Sequence, residues 1–81
     1  MSIVFSQSGV NLPDLIRTKL AKHLAQLGRA TDLHALELTQ ERAEGFVEGL
    51  EASRALTPAT IEELYIAVEA ATVRRRRELT P

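Results

Sequence analysis

Five carboxylates raise the first chemical question. Glu37, Glu41, Glu44, Glu48 and Glu51 recur at spacings of four, three, four and three, which at 3.6 residues per turn stacks them on one helix face. The row spans about 21 Å at a 1.5 Å rise per residue. Like charges four apart each cost a few tenths of a kcal/mol, so helix stability alone does not favour this pattern. A general acid or base needs burial or a partner group to tune its pKa, and this rail is expected to be exposed. Three readings remain. The rail is an ordinary solvated face; or it is neutralised by the Arg74, Arg75, Arg76 and Arg77 cluster, within the fold or across a dimer; or it is an electrostatic docking surface for a basic partner. An exposed ion pair is worth only about 0–1 kcal/mol. Complementary charge does more to steer encounter than to set affinity. Mimicry of a phosphate backbone is the extreme form of the docking reading.

The other chemically capable side chains are few. His23 falls in the apolar arc with Ile16, Leu20 and Leu27, and reads as a half-buried histidine at the edge of a core in preference to a pH-sensitive interface element. His34 has no companion at metal-ligand spacing. Cysteine is absent, which removes disulfides and thiolate metal sites together. No glycine-rich phosphate loop occurs, and no histidine stands at readable spacing from a serine or aspartate. A non-enzyme is expected, with no metal, no cofactor and no small-molecule substrate.

Composition limits the partners. Ten basic and eleven acidic side chains give a net charge of −1, whereas a nucleic-acid-binding chain is more often clearly basic. Three aromatic residues, Phe5, Phe46 and Tyr65, leave little for base stacking. The tetra-arginine run is a weak nucleic-acid signal against that background. No apolar run approaches the roughly 18 residues of a membrane span, and the N-terminus lacks the basic and long apolar regions of a signal peptide. A cytoplasmic protein is expected. The 81 residues, 44% of them apolar, make one small domain whose core supplies no more than about 3–5 kcal/mol. With disulfides and zinc set aside, self-association is the expected supplement.

The elements that carry these residues follow from periodicity and capping. Ile3-Val4-Phe5, closed by Ser8-Gly9, predicts an extended arm over residues 1–10. No second strand candidate follows it, so the arm pairs with a symmetry mate, adds to a partner's sheet, or docks through Phe5. Asn11 as N-cap, Pro13 in the first turn and Asp14 behind it begin a first helix over residues 12–27, stopped by Gly28. Leu12, Leu15, Ile16, Leu20, Leu24 and Leu27 supply its period. Thr31 or Asp32 caps a second helix over residues 32–53. Thr39 is itself a good N-cap, but Leu36, Ala43, Phe46, Val47 and Leu50 keep one phase across it, which favours a single helix. Leu56-Thr57-Pro58 starts a third helix over residues 58–79, with the arginine cluster in its last turns.

Two surfaces stand apart from the rail. Gly45 and Gly49, with Ala52 one turn on, form a smooth strip where a backbone could approach, from within the chain or from another subunit. The third helix is apolar in two directions: Ile61, Leu64, Tyr65 and Val68 form its main seam, while Ile66, Ala70 and Val73 form a second strip. Two apolar faces call for two covers; the second is another molecule or the N-terminal arm, and this points to a homodimer or a partner groove. Phe5, Tyr65, Ile66 and Val73 are the candidate apolar contacts for it.

Glu-Arg-Ala-Glu-Gly-Phe-Val-Glu-Gly-Leu-Glu-Ala from Glu41, Leu-Thr-Pro-Ala-Thr-Ile-Glu-Glu-Leu-Tyr-Ile-Ala-Val-Glu-Ala-Ala from Leu56, and Arg-Arg-Arg-Arg-Glu-Leu from Arg74 together resemble the small helical accessory proteins of bacteriophages and prophages. That resemblance implies stoichiometric binding to a host protein, such as a regulator, a pilus motor or a defence complex, which is inhibited or redirected. It transfers no individual binding residue. The strand-helix-helix order of the first 53 residues also resembles the ribbon-helix-helix regulators, whose paired strands enter the major groove. Here the strand, Ser2 to Gln7, has no lysine or arginine. The expectation is an all-α, three-helix protein with an N-terminal arm, dimeric, binding itself and a host or cognate protein as an inhibitor, anti-activator or adaptor. A small dimeric DNA-binding regulator using the arm or the arginines is the alternative.

Overall fold

The structure, a computed structural model, describes residues 12–81, which form three α-helices and no strand. The expected extended arm over residues 1–10, Phe5 included, lies outside the described residues. The helices are α1 (Asp14–Arg29), α2 (Leu33–Ser53) and α3 (Pro58–Leu79). Each packs against the other two. Tyr65, early in α3, touches Glu51, late in α2, and Arg75, late in α3, touches Ala30 at the end of α1. The chain therefore runs up, down and up.

α1 departs from its expected limits of 12–27 at both ends. Pro13 occupies the N-cap at φ −55° and ψ 146°, an extended conformation with no side-chain cap, so the helix opens at Asp14. The Pro13 carbonyl still accepts the Arg17 N–H at 3.0 Å. At the other end Gly28 stays helical and Arg29 follows it. The chain leaves the helix at Ala30, which is buried, and whose carbonyl accepts a bond from Arg75 Nε at 2.9 Å. A tertiary contact sets this stop, and it outweighs the local preference of glycine for a C′ position.

Local chemistry decides the other starts. Asp32 caps α2, its carboxylate accepting the Ala35 N–H at 2.7 Å. Thr57 caps α3 by accepting the Thr60 N–H at 3.2 Å, with Pro58 in the first turn. Thr39 does not break α2. Its hydroxyl donates to the Ala35 carbonyl at 2.8 Å, so its polar group is satisfied inside the helix. α2 ends on Arg54, which takes the left-handed conformation at φ 59°, a position where a Cβ is unfavourable.

The core lies along one line of each helix. Leu20 and Leu27 from α1, Leu36, Ala43 and Val47 from α2, and Ile61, Leu64 and Val68 from α3 are buried, and Leu12 and Ala30 close its margins. Truncating one such leucine to alanine costs about 2–5 kcal/mol, comparable to the whole stability of a domain this small. Thr72 is the buried polar residue among them, and its hydroxyl donates to the Val68 carbonyl at 2.8 Å. Phe46, Leu50 and Tyr65 pack against the core while half-buried. They form its edge, and the rail begins there.

Candidate functional site

α2 holds all five rail carboxylates, because its phase is fixed by burial of Leu36, Ala43 and Val47. Glu37, Glu41, Glu48 and Glu51 are exposed, and Glu44 is half-buried. The rail does not point straight away from the core. It flanks the seam with α3, where the Tyr65 hydroxyl donates to Glu51 Oε1 at 3.2 Å. Gln40 Nε2 donates to Glu44 Oε2 at 3.2 Å from one turn away. Partial burial, the bond to Glu51 and the negative charges of Glu51, Glu48 and Glu44 together hold the Tyr65 phenol above its ordinary pKa. One aromatic hydroxyl thus senses three members of the rail.

The arginine cluster does not neutralise the rail within the fold. The ion pairs among the described residues are Arg17 with Asp14 at 3.4 Å and Arg75 with Glu78 at 2.8 Å. Arg75 is half-buried and spans two contacts, donating from Nε to the Ala30 carbonyl and from Nη1 to Glu78. Its role is to fasten the end of α3 to the turn after α1. Arg74, Arg76 and Arg77 are exposed. Arg75 is thus set apart from its three neighbours by its burial and its contacts.

No described residue packs on the glycine strip either. Gly45 and Gly49 are exposed, and a Cβ built on either meets nothing within 4 Å. Close packing of α1 or α3 against that edge, one of the two expectations for it, is overturned. The apolar contact set divides as well. Tyr65 belongs to the α2–α3 seam and the rail, whereas Ile66 is 54% exposed on a separate face of α3 with Ala70 and Val73.

That face continues into a groove of about 320 Å³ between α1 and α3, lined by Leu24, Ile66, Ala67, Ala70 and Ala71, with Glu63 and Arg74 at its two ends. Of this lining, sequence reasoning placed Ile66 and Ala70 on the second apolar strip and missed Leu24, Glu63, Ala67 and Ala71, while Val73, the third member of that strip, lies outside the groove. The available signal was the spacing of Glu63 and Arg74. They are eleven residues apart, three helical turns, and they bracket a run rich in alanine.

His23 stands at the opposite junction, between α1 and α2. Its ring stacks on Phe46 with centroids 5.0 Å apart and planes inclined by 30°. Partial burial, then the charges of Lys22 and Lys19, depress its pKa below the ordinary value. Its Nδ1 is buried with no hydrogen-bond partner among the described residues, which fits a neutral ring held mainly by stacking. His34 is exposed on the first turn of α2.

Among the described residues no helix is long and apolar enough to cross a membrane. Comparison with protein-family models, with curated proteins and with solved structures gave no match.

Proposed function

We propose that this chain is a non-enzymatic protein-binding module that engages a basic face of a host or cognate protein through the α2 rail, acting as a stoichiometric inhibitor, anti-activator or adaptor. The observation that carries this reading is the state of the rail. Its five carboxylates follow one side of a single rigid helix, and none has a cationic partner among the described residues. A face whose charges are already paired has little left to offer a partner. Here the negative potential is open to solvent, and the Tyr65–Glu51 bond fixes one end of it against α3.

Such a surface raises the association rate with a basic partner and selects against acidic ones. Charge alone supplies little affinity, so the complex needs apolar anchoring beside the rail. Tyr65 is the side chain placed to give it, half-buried and in contact with the rail. Aromatic residues of this kind commonly carry interface energy.

The test is affinity capture from the source cell, run in parallel with the wild-type chain and a Glu41→Lys, Glu44→Lys, Glu48→Lys variant of matched helical content. The reading expects a partner retained in stoichiometric amount by the wild type, released by moderate salt, and absent from the variant. Equal capture of the same partner by both chains reduces the rail to solvated surface and overturns the proposal.

A further inference from the structure

We infer that the face formed by this groove and the exposed α3 strip beside it packs against the same face of a second copy of this chain, with the two α3 helices antiparallel about a two-fold axis. This inference does not depend on the rail, because it concerns a different face of the molecule. Ile66, 54% exposed, and the exposed Ala70 leave an apolar strip on α3 that no described residue covers. Ala67, Ala70 and Ala71 line it. Side chains this small let two helix axes approach to about 8 Å, the short end of the packing range.

The charges at the ends of the strip select the occupant. Glu63 lies at one end and Arg74 at the other, about 16 Å apart along the helix at 1.5 Å per residue. Neither is engaged in an ion pair among the described residues. A two-fold axis placed level with Val68 and Glu69 brings Glu63 of each copy against Arg74 of the other, and sets Ala67 opposite Ala70. One face thereby complements itself, as an isologous interface requires. A parallel arrangement would set glutamate on glutamate and arginine on arginine, so the charges also specify direction. The chain's own N-terminal segment matches the groove less well, because residues 1–11 contain no Asp, Glu, Lys or Arg to meet Glu63 or Arg74.

The experiment is sedimentation equilibrium on the full chain at micromolar concentrations, with circular dichroism to confirm that each variant is folded. The wild type is expected to be a dimer. Glu63→Arg alone and Arg74→Glu alone should each weaken the dimer at least about tenfold, since each sets like charges together at both ends. The double variant should recover the wild-type constant. A mixture of the two single variants should form a heterodimer in preference to either homodimer. A monomeric wild type overturns the inference, as does a dimer indifferent to these substitutions. A dimer lost in Phe5→Asp but retained in Glu63→Arg also overturns it, and assigns self-association to the N-terminal segment.

Discussion

The Tyr65 hydroxyl on α3 donates to the Glu51 carboxylate on α2, and this bond ties the acidic rail to the helix packed beside it. The rail is thus continuous with the margin of the core. Its electrostatics are readable from a buried-edge aromatic as well as from solvent.

Tyr65 should report the charge of the rail directly. Its phenol is held above its ordinary pKa by partial burial, the Glu51 bond and the nearby carboxylates. An absorbance titration should place its ionisation above that of free tyrosine, and a Glu44→Gln, Glu48→Gln, Glu51→Gln variant should bring it down. A raised acid pKa means that the folded chain keeps a proton the unfolded chain has released. Stability should therefore fall as pH climbs from the ordinary tyrosine range towards the raised value. A phenol that titrates identically in both chains would detach Tyr65 from the rail.

His23 should make the fold mildly acid-sensitive. Its pKa is depressed by burial and by Lys22 and Lys19, so below about 6.5 the unfolded chain takes up a proton that the folded chain resists. The His23 contribution to stability is complete above that value and is lost as pH falls towards the depressed one. Denaturant unfolding at about pH 7.5 and about pH 5.5 should show the loss, and His23→Gln should flatten it. An unchanged slope in that variant would place the sensitivity elsewhere.

The exposed glycines of α2 should be replaceable. With no described residue near either position, Gly45→Ala and Gly49→Ala should each raise stability by up to about 1 kcal/mol through helix propensity. A loss of stability on either substitution would mean that the edge is closely packed. If the variants are more stable and yet fail to bind the partner, the smooth strip belongs to the docking surface.

Arg75 should stand apart from its neighbours. Arg75→Leu removes the bond to the Ala30 carbonyl and the pair with Glu78, at a cost of about 1–2 kcal/mol. Arg76→Ala and Arg77→Ala, both at exposed positions, should fall within about 0.5 kcal/mol of wild type. Equal effects at all three positions in chemical denaturation would restore the picture of a single basic patch.

Much of this architecture was legible because local chemistry and tertiary packing agree. Asp32 and Thr57 are caps by side-chain type, and both act as caps. The phase carried by Leu36, Ala43, Phe46, Val47 and Leu50 runs unbroken through Thr39, whose hydroxyl finds a carbonyl one turn back. Gly28 shows where such reading stops. Its preference for ending a helix is outweighed by the burial of Ala30 and the bond from Arg75 to the Ala30 carbonyl. That bond joins residues 45 apart in the sequence, and no local pattern encodes it. The division of the arginines has the same origin, because four identical neighbours diverge only when another helix lies against one of them. The groove was half visible. Its apolar strip has a helical period, but Leu24 enters it from α1, and the direction in which α1 crosses α3 cannot be read from either helix alone.

The central claim is that the rail is a working surface for a basic partner. The most direct measurement is the binding affinity of the captured partner at a series of salt concentrations, for the wild type and for the Glu41→Lys, Glu44→Lys, Glu48→Lys variant. A working rail predicts affinity that falls steadily with salt in the wild type and is at least about tenfold weaker in the variant at low salt. Equal affinity in the two chains, with no dependence on salt, would contradict it.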